Sequence, residues 1–249
     1  MFGLLFQSKK STKNTFNTTT NTLTTDIHSH ILHGLDDGAK TLEESIALSK
    51  EMQQRGYKKL ICTPHIMKGY YNNEPENIKK TAQILQKALQ QNQIDLSIDI
   101  AAEYYLDEFM FQKLEKGEEL LSFGNQYLLF ETSFISQPAF LWEAIFLMQS
   151  LGYKPILAHP ERYLYLQENF AIVEKLLQHQ VFLQLNINSI AGYYGREEEK
   201  LAKKLIEQKF ITWAGSDCHG KRYIKALTEA QKTKTYQQLT ELPLLNYQL

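Results

Sequence analysis

The chain has 249 residues, of which 43% are hydrophobic, so it can bury a sizeable core and one domain is the simplest interpretation. Its 27 basic and 28 acidic residues leave a net charge of -1, which excludes a global field that would favour nucleic acid or an anionic membrane. The 2 cysteines do not suggest a disulfide framework and fit a reducing compartment, so we expect a cytoplasmic protein.

Residues 1–24 are predicted to be a flexible extension, because positions 11–25 are dominated by Thr, Asn and Ser and offer little to bury. The first residues contain a short apolar patch formed by Phe2, Leu4, Leu5 and Phe6. This patch is too short to span a bilayer, and its charges follow it, whereas those of a signal peptide precede it. We therefore expect neither a transmembrane segment nor secretion; a weak contact of the patch with a membrane or a partner is the alternative.

Beyond the extension, strand-like runs alternate with segments of helical spacing. The predicted strands are residues 23–27, 59–63, 94–101, 127–130, 155–158, 181–187 and 210–214. Helical spacing of apolar residues occurs within 42–52, 78–89, 141–148, 172–177 and 201–206. Thr41 and Glu44 form a capping-box pattern before the first helix, and Gly56 and Gly152 are placed as helix stops.

This alternation predicts an α/β protein with a parallel sheet and right-handed crossovers, in a single domain over residues 25–249. Seven such units can close into a (β/α)7 TIM-like barrel. An open doubly wound sheet is the alternative, but it usually binds its ligand at one switch point.

Residues that can hold metal ions recur where these apolar runs end. They are His28 and His30, His65, Glu103, Glu131, His159, and Asp217 with His219. In a barrel the carboxyl ends of the strands meet on one face, where such folds place their active sites. Alternate positions of a strand share a face, so His28 and His30 can grip one ion, and Asp217 and His219 repeat that spacing. Each residue alone would more simply be a satisfied polar group, but burying the whole set without an ion would be costly.

Imidazole and carboxylate ligands without a required thiolate suit zinc, manganese or iron, and a set of this size exceeds what one ion can use. Two or three divalent ions are therefore predicted. Ions about 3.5–4 Å apart would hold a bridging hydroxide as nucleophile and clamp the oxygens of an in-line displacement on phosphorus. Hydrolysis of a phosphate ester is the natural use of such a site.

A phosphate site also needs a fixed positive group. Arg162, three residues after His159, is placed to bind phosphate oxygens bidentately, and Arg222 beyond His219 is a second candidate, with an ordinary surface arginine as its alternative role. A cysteine-based phosphatase is not expected, since an arginine should follow the cysteine by six positions, where this chain has Lys68 and Ile224.

Six segments stand out between about Thr25 and Arg222: DIHSHILHGLDDGAKTLEES, TPH, the glutamate of AAEYY, FETS, AHPERY and GSDCHG. Together they resemble the PHP (polymerase and histidinol phosphatase) superfamily. Within that superfamily the chain is most similar to the bacterial protein-tyrosine phosphatases of the CpsB/YwqE type, which regulate capsular and exopolysaccharide synthesis. The run from DIHSH through LDDG is specific to that branch.

The resemblance implies a distorted seven-stranded barrel with three metal ions, often manganese. The implied substrate is the tyrosine-phosphorylated C-terminal tail of a partner bacterial tyrosine kinase. Matching positions give the ligands His28, His30, Asp37, His65, Glu103, Glu131, His159, Asp217 and His219, with Arg162 and Arg222 on the phosphate. Asp37 rests on the resemblance alone, which favours it over Asp36, because an Asp-Asp-Gly segment more often forms a tight turn.

Two other functions remain open at this stage. One is a small-molecule phosphomonoesterase such as a histidinol phosphatase; the other is a non-catalytic regulator braced by its metals. Further candidates for the site are Asn186 and Asn188, which follow the sixth predicted strand, and an aromatic wall formed by Tyr70, Tyr71, Tyr104 and Tyr105. His33 has no strand end to position it, and His179 is expected to interact with a helix dipole.

Overall fold

A computed structural model describes residues 23–249 of the chain. Most of the predicted extension, including its apolar patch, lies outside the described residues. Leu23, the first residue described, is buried in the core at 1% exposure. Within residues 23–249, every helix is too short or too polar to cross a membrane.

Strands form at all seven predicted positions. They and two further short strands are β1 (Thr25–Ser29), β2 (Lys59–Cys62), β3 (His65–Ile66), β4 (Ser97–Ile100), β5 (Glu103–Tyr105), β6 (Tyr127–Glu131), β7 (Lys154–Ala158), β8 (Phe182–Asn186) and β9 (Trp213–Gly215). The unpredicted pair, β3 and β5, each follow a longer strand after a break of two residues, at 63–64 and 101–102. Pro64 lacks the amide hydrogen that would continue the ladder of β2.

Helices likewise form in each predicted segment. They are α1 (Leu42–Gln54), α2 (Pro75–Gln91), α3 (Glu108–Glu115), α4 (Leu141–Ser150), α5 (Leu164–Glu168), α6 (Ala171–Gln178), α7 (Arg196–Glu207), α8 (Lys221–Gln231) and α9 (Lys234–Thr240), with short 3-10 helices at Pro160–Arg162, Ile187–Ala191 and Leu245–Gln248. Four of them, α3, α5, α8 and α9, are outside the predicted set. The buried residues of α8 nevertheless have regular spacing, at Ile224, Leu227 and Ala230.

The residues predicted to cap and end the helices do so, with one difference at Glu44. The hydroxyl of Thr41 accepts a hydrogen bond from the backbone N–H of Glu44 at 3.3 Å, as a capping residue should. The Glu44 carboxylate, however, accepts from the backbone N–H of Lys40 at 2.7 Å and not from that of Thr41. Gly56 and Gly152 follow their helices with φ of +92° and +87°, a left-handed conformation that favours glycine.

All paired strands are parallel, as predicted, but a closed barrel is not confirmed. Backbone hydrogen bonds divide the strands into a three-stranded sheet in the order β1-β2-β4 and a six-stranded sheet in the order β3-β5-β6-β7-β8-β9. The breaks before β3 and β5 separate the two ladders. Across the remaining gap, Ser29 and Cys218 form an isolated parallel bridge, and the backbone N–H of Asp217 donates to the carbonyl of His28 at 2.8 Å.

Two buried apolar clusters lie on either side of the sheets. The larger one joins the sheets to the helices. The smaller one is drawn mainly from strands of both sheets and consists of Ile27, Ile61, Ala101, Phe123, Leu129, Ile156, Ala158 and Trp213. Because this cluster packs strands of both sheets against one another, it holds them close together, and the predicted ligands lie at their carboxyl ends.

Candidate metal centre

The predicted ligands converge at the carboxyl ends of the strands, although they come from distant parts of the chain. Three groups of side chains have ligand atoms within 4.8 Å of one another: His30, Asp37, His65 and His219; His28, His30 and Glu103; and His65, Glu103 and Glu131. His30, His65 and Glu103 each belong to two groups. Shared ligands of this kind suit adjacent ions.

Glu103 lies at the middle of the cluster and is fully buried. One carboxylate oxygen, Oε2, is 3.1 Å from His28 Nε2 and 3.2 Å from His65 Nδ1, while Oε1 is 2.9 Å from His159 Nε2. Burial alone would raise the pKa of this carboxyl, but the surrounding imidazoles outweigh it and hold the pKa well below its usual range. Glu103 is therefore ionised and offers both oxygens to the cluster.

The remaining two predicted ligands complete the cluster. His159 reaches it through the contact with Glu103, and Asp217 Oδ1 lies 3.4 Å from His30 Nε2 and 3.3 Å from His219 Nδ1. Asp37 is half-exposed and its Oδ1 is 3.4 Å from His219 Nε2. The structure thus brings all nine predicted ligands together.

Two side chains orient the histidines from behind. His28 Nδ1 contacts Gln184 Oε1 at 2.8 Å, and His30 Nδ1 contacts Asp36 Oδ2 at 2.7 Å. Each bond fixes the ring so that its Nε2 faces the cluster. Asp36 also accepts from the backbone N–H of His65 at 3.1 Å, so of the two aspartates in LDDG it supports ligands while Asp37 approaches them.

The donor set fits divalent ions. Burial lowers the affinity of His28 for a proton, but the carboxylates of Glu103 and Asp217 outweigh burial and raise its pKa to about 9. Buried imidazoles and carboxylates therefore neutralise one another in a place where an ion can replace the protons. Within residues 23–249, the buried Nδ1 atom of His159 has no hydrogen-bond partner. His65 Nδ1 lies 3.2 Å from carboxylate oxygens of both Glu103 and Glu131, but it forms a hydrogen bond with neither.

The two oxygens of Asp217 have different surroundings. Oδ1 faces the histidines, whereas Oδ2 accepts hydrogen bonds from Asn186 Nδ2 at 2.8 Å, Arg162 Nη1 at 3.1 Å and the Tyr194 hydroxyl at 3.1 Å. Three donors fix the carboxylate and leave Oδ1 free for an ion. Asn186 is among the site residues predicted from the sequence, whereas Tyr194 is not.

Arg162 is held at the edge of the cluster by two aromatic rings. Its guanidinium carbon lies 4.6 Å from the centre of the Phe134 ring and 4.3 Å from that of Tyr194. Its side chain is 23% exposed, so it can meet a ligand from outside. Burial opposes its charge, but the Asp217 carboxylate outweighs burial and raises its pKa, so the group stays cationic.

Arg222 occupies a different environment. It is the second residue of α8 and is exposed, outside the hydrogen-bonded cluster formed by the described residues. Its neighbour Tyr223 does reach the cluster, with its ring centre 4.9 Å from that of His219.

The chain approaches the cluster through strained and tightly packed backbone. His159 and Asp217 have φ of 33° and 51°, a left-handed conformation that is uncommon for residues with side chains. At Gly38, the glycine of LDDG, a Cβ atom would lie 1.9 Å from the carbonyl oxygen of His30. At Gly215 it would lie 2.6 Å from the Cβ of His28. Only glycine permits these approaches.

The predicted aromatic wall forms only in part. Tyr71 stacks on His65 with ring centres 5.3 Å apart, and Tyr70 is 76% exposed. Tyr104 is buried, and its hydroxyl accepts from the backbone N–H of Leu121 at 2.7 Å, so it faces away from solvent. His179 contacts the carbonyl of Lys175 at the end of α6, in agreement with a local role.

The sequence is similar to that of known proteins. The profile of the family described as "Capsular polysaccharide synthesis, CpsB/CapC" matches residues 24–238. The tyrosine-protein phosphatase YwqE of Bacillus subtilis (strain 168) is 31% identical over 194 residues, which cover 78% of this chain and 76% of that protein. The tyrosine-protein phosphatase CpsB of Streptococcus pneumoniae is 30% identical over 199 residues, which cover 78% of this chain and 82% of that protein.

One similar solved structure is among the crystal structures of YwqE from Bacillus subtilis and CpsB from Streptococcus pneumoniae, which are described as unique metal-dependent tyrosine phosphatases. It superposes with a TM-score of 0.79 at 31% identity and covers 90% of both chains.

Proposed function

The chain belongs to the CpsB/CapC family of capsular polysaccharide synthesis proteins, and we propose that it is a metal-dependent protein-tyrosine phosphatase. The observation that carries the proposal is the position of Arg162, whose Nη1 lies 3.1 Å from a carboxylate of the ligand cluster. Metal-assisted cleavage of a phosphate monoester uses ions to activate water and polarise the phosphoryl group, and a fixed cation can bind the phosphate oxygens that the ions leave free. The chain provides the two side by side.

Two or three divalent ions would be held by the nine residues of the cluster, with manganese as the first candidate and iron or zinc compatible with the same donors. The ligands are His28, His30, Asp37, His65, Glu103, Glu131, His159, Asp217 and His219. When bound, these ions supply Lewis-acid polarisation of the phosphoryl group and activate water for attack on phosphorus.

The protein's own groups bind and orient the phosphate. Arg162 can turn its guanidinium fork from Asp217 to two phosphate oxygens while the flanking rings of Phe134 and Tyr194 keep it in place. Asn186 and the Tyr194 hydroxyl hold Asp217 Oδ2 in the meantime. We assign Arg222 a secondary role in phosphate binding, supported by its place three residues after His219, and its exposure predicts a smaller effect than that of Arg162.

An aromatic substrate suits the rim of the site. Phe134, whose ring packs on Arg162, is 39% exposed, and the next residue, Ile135, is 74% exposed. Tyr71 stacks on His65. Such apolar and aromatic surfaces can receive a phenyl ring while the phosphate reaches the ions.

The proposed substrate is the tyrosine-phosphorylated C-terminal tail of a bacterial tyrosine kinase of capsule or exopolysaccharide synthesis, and the proposed location of this chain is the cytoplasm. Its support is the family's description and the names of the relatives. We also propose that the two sheets form one distorted (β/α)7 TIM-like barrel of the PHP type within a single domain of residues 25–249. The bridge between Ser29 and Cys218 supports that closure.

The test combines metal analysis with a choice of substrates. Purified protein should contain at least two divalent ions per chain and should hydrolyse a phosphotyrosine peptide much faster than histidinol phosphate. Arg162→Gln should keep its metal content and lose most of this activity. Rapid turnover of histidinol phosphate with little cleavage of the peptide would assign a small-molecule phosphatase, and a metal-loaded protein inactive on both would leave a regulator.

A further inference from the structure

A groove of about 940 Å³ runs between α1 and α8 and begins at the metal centre. One end is formed by His219 and Gly220, and the other is closed by Arg55. The Arg55 guanidinium pairs with Glu51 at 2.7 Å and donates to the Thr228 hydroxyl at 2.9 Å, which ties the two helices together. The groove therefore lies between two helices that are tied together by Arg55, and a proposed metal ligand, His219, is among its lining residues.

The floor of the groove is apolar and its length suits a peptide. Leu48 and Ile224 are buried beneath it and Ala47 is exposed within it. From Glu43 to Arg55 the helix rises about 18 Å at about 1.5 Å per residue. An extended peptide advances about 3.3 Å per residue, so five or six residues can lie along this floor.

The glutamates that line the groove are only partly offset within the protein. Glu51 on the α1 wall is paired with Arg55, and Glu229 on the opposite wall is paired with Lys232 at 2.7 Å. Glu43 and Glu44 keep their charge in the first turn of α1, where the helix dipole favours carboxylates, and Glu44 also accepts from the backbone N–H of Lys40 at 2.7 Å.

The α8 wall carries two cations without a counter-charge. Lys221 and Lys225 line the groove one helical turn apart and form no salt bridge with any of the residues 23–249. They lie in the first turns of the helix, beginning directly after Gly220 and His219. This arrangement favours an anionic side chain on the occupant of the groove, next to the metal centre.

We propose that this groove binds the polypeptide that flanks the phosphotyrosine of the substrate, with acidic side chains of that segment directed at Lys221 and Lys225. The inference rests on the proposed tyrosine phosphatase function and adds a sequence preference to it. A phosphotyrosyl group in the centre is attached to a main chain that must leave along the surface. The groove provides such a path, with two lysines on its α8 wall that form no salt bridge with the described residues.

The test compares three substrates: free phosphotyrosine, a phosphotyrosine peptide with aspartate and glutamate around the phosphorylated residue, and the same peptide with lysines instead. The wild-type protein should show a higher kcat/KM for the acidic peptide. Lys225→Glu should raise KM for that peptide by up to about fivefold, the effect of one exposed ion pair, and should leave free phosphotyrosine unaffected. Lys234→Glu on α9, which lies outside the groove, is the matched control and should behave like wild type.

A second variant tests the groove without changing charge. Ala47→Trp fills the floor and should lower kcat/KM for both peptides while free phosphotyrosine is cleaved normally. Equal turnover of the two peptides by the wild type, or peptide cleavage unaffected by Ala47→Trp, would overturn the groove proposal and leave the phosphatase function intact. If the metal-loaded wild-type protein did not hydrolyse phosphotyrosine at all, the phosphatase function would be refuted, and the groove proposal with it.

Discussion

Arg162 donates a hydrogen bond to Asp217 across the metal centre, at 3.1 Å, and the same carboxylate presents its other oxygen to the histidines. The proposed phosphate-binding cation and a proposed metal ligand thus hold each other in place. A phosphate that enters the site must compete with Asp217 for the guanidinium. The strength of that competition should appear in kinetics of Arg162 variants.

Replacing Arg162 should impair catalysis more than folding. Lysine keeps the charge but loses the planar fork and its stacking between Phe134 and Tyr194. We expect Arg162→Lys and Arg162→Gln to lower kcat by about 10²- to 10³-fold, the usual cost of removing one donor that stabilises developing charge. Steady-state kinetics on a phosphotyrosine peptide measure this, with metal content as the control. Arg222→Gln should be affected less, and equal effects at the two positions would contradict the assigned roles.

Tyr194 is expected to act through its hydroxyl and its ring separately. Tyr194→Phe removes one donor to Asp217 Oδ2 and should lower kcat about fivefold, since one hydrogen bond contributes about 1 kcal/mol. Tyr194→Ala also removes the ring that packs on Arg162 and should have a larger effect. Tyr193→Phe, in the same turn, is the matched control. A phenylalanine variant as impaired as the alanine variant would show that the ring contributes nothing.

Gly38→Ala should distort the metal centre. The added methyl group would meet the His30 carbonyl oxygen at 1.9 Å and the His30 Cβ at 2.7 Å, so the backbone of LDDG must move, and Asp36 and Asp37 with it. We expect a loss of about 1–3 kcal/mol in unfolding free energy and weaker metal binding. Gly220→Ala, whose new Cβ would meet nothing within 4 Å, should be nearly neutral. Urea unfolding of both variants measures the change in stability, and metal titration measures the change in metal binding.

The buried thiol of Cys62 predicts a loss of stability in alkali. Burial raises its pKa from 9.0 to about 12, so the folded state retains a proton that the unfolded state releases. The stabilisation is complete below pH 9 and is lost as the pH rises towards 12. Urea unfolding from pH 8 to pH 11 should show a free energy that falls more steeply in wild type than in Cys62→Ala, by at most about 1.4 kcal/mol per pH unit. Parallel curves for the two proteins would rule out the thiol as the cause.

The elements of the fold followed from local patterns, but their arrangement did not. Apolar runs and caps such as Thr41 act over a few residues, and they located the strands and most helices. The separation into two sheets depends on breaks at residues 63–64 and 101–102, where pairing is decided by neighbouring strands. Periodicity therefore predicted parallel strands correctly and could not establish closure.

The candidate site shows the same division. Residues of the cluster such as His28 and Glu103 could be predicted because they directly follow apolar runs, and Asp37 could be added through the family resemblance, which the family profile confirms. The residues that orient them could not. Gln184 is separated from His28 by 156 positions, and Tyr194 belongs to a loop whose path depends on the packing of its surroundings. The sequence offers one signal for Tyr194, which lies in the segment AGYYG shortly after the candidates Asn186 and Asn188.

The proposed ligands come from both the first strand and the last of the described residues, since His28 lies in β1 while Asp217 and His219 follow β9. A ribosome must therefore pass His219 before the full proposed ligand set exists, so that set could hold its ions only from that point of synthesis onwards. Once bound, an ion held jointly by His28 and Asp217 would cross-link distant parts of the chain, as a disulfide does, and would remove the entropy of opening a very long loop. The folded state would then gain stability with the logarithm of the free metal concentration, so the protein's resistance to unfolding would follow the metal supply of the cell.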